Sequence, residues 1–119
     1  MRIEVENRCL LRNALASLCE FLSESGVAPE RVFDSKLIVS ELVGNVFTHS
    51  TGKASVNVTL LDEFVEIEIG STVPFIPPKT SKLSEVFSEH GRGLFLVDSI
   101  CHERGVTEDG RIKILIKIN

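Results

Sequence analysis

The sequence predicts an α+β fold: a two-layer α/β sandwich in which a mixed, mostly antiparallel sheet carries about three helices on one face. Three observations predict it. Long segments in the first half repeat apolar residues at helical spacing. Four short segments alternate aliphatic and polar residues at strand spacing. Tight turns join neighbouring strands. With 119 residues there is room for one core, so residues 1–119 read as a single domain.

Ile3 and Val5 alternate with charged residues and predict a short opening strand. From Asn7 to about Ser25, Leu10, Leu11, Ala14, Leu18 and Leu22 follow the spacing of an amphipathic helix, and Gly26 supplies its stop. A second helix begins after Val27 with Pro29 in its first turn, and runs to about His49 on a stripe of Val32, Ile38, Leu42 and Val46. Ser50-Thr51-Gly52 reads as a break. Val56, Val58 and Leu60 then form one strand and Val65, Ile67 and Ile69 another, joined at Asp62-Glu63. Regularity stops from Gly70 to Gly93, where Pro74, Pro77 and Pro78 forbid a central strand or a long helix. So long a connection in a small domain suits a lid, with a short helical turn around Leu83 to Phe87. Leu94, Phe95, Val97 and Ile100 open a third helix that ends near Arg104-Gly105. After the Asp109-Gly110 turn, Ile112, Ile114, Ile116 and Ile118 mark a terminal strand.

Composition narrows the functional classes. The net charge is −4 and the Lys and Arg residues are scattered, which argues against a nucleic-acid partner. No apolar run is long enough to span a bilayer. The first residues alternate charge with aliphatics in place of a signal-peptide core, so the sequence reads as cytoplasmic. Three cysteines, Cys9, Cys19 and Cys101, include no Cys-x-x-Cys and suit neither a disulfide framework nor a zinc site. Cys101 and His102 are adjacent, but neighbours on a helix point about 100° apart and no second ligand pair completes a metal site.

Two patterns carry chemistry. Glu41, Asn45 and His49 stand at i, i+4 and i+8, one polar stripe beside the apolar one of the second helix. A carboxylate and an amide one turn apart suit a general base and an oxygen ligand for a hard cation such as Mg²⁺. The same spacing also describes an amphipathic helix with a solvated edge. The second pattern is Gly91-Arg92-Gly93-Leu94, at the end of the long loop and the start of the third helix. Glycines there let the backbone approach a phosphate, and free N–H groups at a helix start attract anions. A loop hinge would look similar.

Taken together and in this order, the motifs resemble a known family. Glu41-Leu42-Val43-Gly44-Asn45-Val46-Phe47-Thr48-His49 resembles the N box of the GHKL ATPases, the superfamily of gyrase, heat-shock chaperone, sensor histidine kinase and mismatch-repair ATPases. Glu89-His90-Gly91-Arg92-Gly93-Leu94-Phe95-Leu96-Val97 is similar to the G2 box of its small single-domain branch, the bacterial anti-sigma factors that are also serine protein kinases. The resemblance covers nearly the whole chain and implies the histidine kinase-like ATPase fold. It implies ATP or ADP with Mg²⁺ as ligand, Asn45 as the residue holding Mg²⁺ at the triphosphate, and Glu41 as catalytic base. It places His49 near the lid and phosphates, and Gly91, Arg92, Gly93 and Leu94 at the phosphate-gripping turn. The stretch from about Pro77 to His90 corresponds to the lid.

One motif departs from the family. The G1 box, Asp-x-Gly-x-Gly, belongs after the Val65–Ile69 strand, and there Ser71 stands for the Asp while Val73 and Phe75 replace the glycines. Near the end, Lys113 and Ile114 stand where relatives often carry a Thr facing adenine. A hydrogen bond to a charged group is worth about 1.5–3 kcal/mol, so its loss weakens adenine binding roughly ten- to hundredfold. Ser71 remains able to accept a weaker bond as a nucleotide-binding residue. The phosphate half of the site is retained and the adenine half degenerate.

These residues leave two functional expectations. One is an ATP-dependent anti-sigma factor with serine/threonine kinase activity, whose partners are a sigma factor and a small antagonist protein phosphorylated on serine. The other is a nucleotide-free scaffold that acts in transcriptional regulation through protein contacts alone. A sensor-kinase catalytic domain fits less well, because the chain shows no phosphoacceptor helix pair and its lid is short. Relatives dimerise through the opening strand and first helix, which makes that region the candidate surface of a homodimer.

Overall fold

A computed structural model describes residues 1–49, 53–71, 97, 99–108 and 110–118. Its elements are β1 (Arg2–Val5), α1 (Arg8–Glu24), α2 (Pro29–His49), β2 (Ala54–Leu60), β3 (Phe64–Ser71), β4 (Glu103–Val106) and β5 (Ile112–Lys117). The five strands form one sheet in the order β1-β2-β3-β5-β4. Every pairing is antiparallel, so the mixed character expected of the sheet is not found among the described residues.

The two helices form where the sequence places them, for visible local reasons. Asn7 caps α1 from an extended conformation, its Oδ1 accepting from Leu10 N at 3.1 Å. The helix closes on Gly26, whose φ of 89° is the left-handed region that glycine reaches without strain. Gly26 N donates to Ser23 O at 3.1 Å and Val27 N to Leu22 O at 3.0 Å, the paired bonds of a Schellman stop. Two residues later Pro29 opens α2, where its missing N–H costs nothing.

Strand alternation builds the core. Val56, Val58, Val65, Ile67, Ile69, Ile112, Ile114 and Ile116 are buried on one face of the sheet. Ile38, Val39, Leu42, Val43 and Val46 of α2 and Ala14, Leu18 and Leu22 of α1 close over it. α2 packs on β2, β3 and β5, and α1 on α2 and β1. This is the two-layer sandwich expected, with the helices on one face. The opposite face carries polar side chains, among them Glu66 and Lys113, whose charged groups meet at 3.0 Å. The hydrogen bond and charge of Glu66 hold the Lys113 ammonium above the usual lysine range.

Two boundaries differ from the sequence expectation. The third helix was expected to run to Arg104-Gly105. Val97, Ser99 and Ile100 are helical, with Cys101 N donating to Val97 O, but Glu103–Val106 is strand β4. His102 N donates to Leu115 O at 2.7 Å and starts that ladder. The chain turns between two strands at Gly110 and not merely before one: Gly110 sits at φ 87°, Thr107 N donates to Arg111 O, and Gly110 N donates to Thr107 O. The second difference is β3, which continues through Gly70 and Ser71, paired with Ser55 and Ala54, where irregular chain was expected. The break at residues 50–52 and the loop and short turn expected within residues 72–93 lie outside the described residues.

Two glycines make testable statements about stability. A Cβ at Gly44, in the interior of α2, would meet nothing within 4 Å. Gly44→Ala should therefore stabilise the fold by about 0.5–1 kcal/mol, seen as a higher urea midpoint at unchanged slope. At Gly70 the outcome reverses, since a Cβ there would lie 2.9 Å from Cγ of Arg111, which crosses this residue. Gly70→Ala should cost about 1–3 kcal/mol, and Arg111→Ala in the same chain should recover part of that loss.

Candidate nucleotide site

The candidate site is built on α2. Counting along the helix, Glu41 and Asn45 lie one turn apart, beside the apolar stripe through Ile38, Leu42 and Val46. Glu41 is half-buried and Asn45 is only 6% exposed. The amide nitrogen Nδ2 of Asn45 is buried and has no hydrogen-bond partner among the described residues. Leaving such a group unsatisfied costs about 1–3 kcal/mol, so its position next to the core needs a reason. A ligand supplies one. The amide oxygen is a hard donor suited to Mg²⁺, and the N–H₂ group can donate to a phosphate oxygen. The chemistry of the Asn45 amide is compatible with the role expected of it, and half-buried Glu41 stands one turn away on the same helix.

Ser71 is the last residue of β3, the central strand on which α2 packs. Alternation from Val65, Ile67 and Ile69 puts its half-buried side chain on the helix-covered face, opposite Ala54 of β2. Ser71 thus ends a strand on which α2, the helix that carries Glu41 and Asn45, packs. His49 is the final residue of α2, and its side chain lies outside the described residues. Gly91, Arg92, Gly93 and Leu94 also lie outside them, as do Val73 and Phe75. Lys113 faces the polar side of the sheet, away from α2, and pairs with Glu66, whereas Ile114 is buried in the core.

Sequence reasoning passed over two neighbours of this stripe. Arg8, the first residue of α1, donates from Nη2 to Thr48 Oγ1 at 2.6 Å and to Gly44 O at 3.4 Å. Thr48 Oγ1 in turn donates to Gly44 O at 3.0 Å. Nothing in the local pattern pairs residues so far apart in the chain, although Thr48 falls at i+3 from Asn45 and i+7 from Glu41. Of the adjacent Cys101 and His102, Cys101 is half-buried, and the exposed His102 ring rests against Phe64 with centroids 5.0 Å apart.

An antiparallel five-stranded sheet under a helix pair, with an amide and a carboxylate on the inner helix, defines the class of nucleotide-binding α+β sandwich implied by the motifs. The model of the histidine kinase-like ATPase domain matches residues 4–117, and the chain belongs to that family. Membership in an ATPase family implies a nucleotide ligand, typically with Mg²⁺. No curated protein matches the chain. Among the described residues, no helix is long and apolar enough to cross a membrane.

If Asn45 is kept for a ligand, its removal should separate stability from binding. Asn45→Leu should raise the stability of the ligand-free protein by about 1 kcal/mol in urea unfolding. In the same variant the rise in melting temperature given by Mg-ATP should vanish.

Proposed function

We propose that this chain is an ATP-binding regulatory domain of the anti-sigma type, which transfers the γ-phosphate of Mg-ATP to a serine of an antagonist protein. The observation that supports this reading most is the buried, unpartnered amide of Asn45 beside Glu41 on the helix above β3. Asn45 would hold Mg²⁺, which neutralises charge on the triphosphate. Glu41 would accept the proton of the seryl hydroxyl as its oxygen bonds to the γ-phosphorus. The bond from that phosphorus to the β,γ-bridging oxygen breaks, and ADP leaves. The cytoplasm is the compartment this reading requires, and a sigma factor is the second partner, bound or released as the antagonist is modified.

A second reading has its own support. Ser71 occupies the strand end where family members carry the adenine-binding Asp, and a nucleotide-free scaffold working through protein contacts would tolerate that change. Calorimetry separates the two. Under the first reading the protein binds Mg-ATP and Asn45→Ala abolishes the binding; no heat up to millimolar Mg-ATP, from folded protein, leaves the scaffold. Ser71→Asp should raise affinity for Mg-ATP and Mg-ADP alike, by about ten- to hundredfold, because it restores a charged acceptor for the adenine amino group. An unchanged affinity would mean that Ser71 does not face the base.

A further inference from the structure

We propose that Arg8 is a phosphate-binding residue, which α1 delivers to the polar stripe of α2 and which supplies the positive charge that this stripe lacks. The inference rests on the nucleotide reading above and extends it to a residue outside both sequence motifs.

Three observations converge on Arg8. The first is position. Thr48, on which the guanidinium is docked at 2.6 Å, lies on the same side of α2 as Asn45 and Glu41, at i+3 and i+7. Side chains three apart on a helix stand about 5–6 Å from one another at Cβ. Arg8 is thus docked on residues immediately flanking Asn45 on α2, Gly44 before it and Thr48 one turn after. The second is valence. Both of its bonds come from Nη2, to Thr48 Oγ1 and Gly44 O. The Nε and Nη1 donors have no partner among the described residues, which leaves one edge of the planar fork open, the geometry that grips a phosphate with two bonds. The third is charge. Arg8 lies within ion-pair distance of no carboxylate among the described residues; Arg12, Lys36 and Lys117 share that state, but of these four only Arg8 is held in place by neutral oxygens of α2. An arginine anchored by neutral oxygens, with its charge uncompensated, is prepared for an anion.

Neither anchor neutralises the guanidinium, and both orient it. Thr48 Oγ1 accepts from Arg8 and donates to Gly44 O, so its proton is committed and its lone pair aims at the arginine. Gly44 leaves the ground beside that carbonyl open, since no atom lies within 4 Å of where its Cβ would be. Arg8 is exposed, so its charge acts through solvent and its contribution is moderate.

The test uses calorimetry on the full chain with three probes: Mg-ATP, Mg-ADP and Mg-tripolyphosphate, the last lacking the base and sugar. Arg8→Ala should weaken Mg-ATP and Mg-tripolyphosphate by about tenfold and Mg-ADP by less than about threefold, since ADP presents one phosphate fewer. Arg8→Lys should recover part of the loss, keeping the charge without the fork. The gap between the protein and Arg8→Ala should also narrow at high salt, which a merely structural tether between helices would not show. If Asn45→Ala abolishes binding while Arg8→Ala weakens all three probes equally or none, the proposal is overturned and Arg8 only ties α1 to α2. If Mg-ATP fails to bind but Mg-tripolyphosphate binds in an Arg8-dependent way, Arg8 stands and the adenine part of the functional reading falls. If neither binds, both fall.

Discussion

The rest of the structure depends on the contact between the apolar stripe of α2 and the aliphatic face of β2, β3 and β5. Ile38, Leu42 and Val43 are fully buried against strands whose buried inward residues, from Val56 to Ile116, are valine and isoleucine. β-branched side chains suit this face because they are stiff and fill a pleated surface. The contact fixes the rotation of α2 about its own axis. That rotation, in turn, decides that Asn45 falls at the margin of the core and Glu41 just outside it. Every chemical statement about the site is a consequence of this setting.

The same contact explains why the site is carried at a cost. A helix packed for stability alone would place an aliphatic residue at position 45 and alanine at position 44. The protein instead keeps an amide without a partner among the described residues in the first, and a glycine in the second although a Cβ there would meet nothing within 4 Å. Departures from local rules of this kind gather at functional positions, since ligand binding selects groups that folding does not. Arg8 extends the pattern to α1. A cation with no carboxylate beside it among the described residues gains little for the fold, yet it docks on the last turn of the helix that carries the polar stripe.

Much of the fold was legible in the sequence because its signals are local. The periodicity of α1 and α2, the Gly26 stop, Pro29 and the Asp62-Glu63 turn each act over a few residues. They identified their elements to within about two residues. The extension of the third helix to Arg104-Gly105 failed because the strand found there, β4, has weak patterning of its own. All four of its residues are exposed, and it exists through its ladder to β5. Tertiary pairing overrode the local signal there. Of the candidate site, Glu41, Asn45 and Ser71 were legible as a helix stripe and a strand end. Arg8 was not, because a hydrogen bond between α1 and the last turn of α2 leaves no trace in periodicity.

The strand order has a further consequence for how the chain acquires this shape. β2 and β3 form one hairpin and β4 and β5 another, each closed by a short turn. The seam between them, β3 to β5, joins residues separated by the whole segment from Ser71 to Ile112. Closing that loop carries an entropic penalty which rises only slowly with length, by about 0.6 kcal/mol for each doubling. The central pairing of the sheet, like that of β1 with β2 across residues 6–53, thus has little local help and is insensitive to how long the intervening segment is. A domain wired in this way can lengthen or shorten that segment over evolutionary time while the sheet beneath it stays the same.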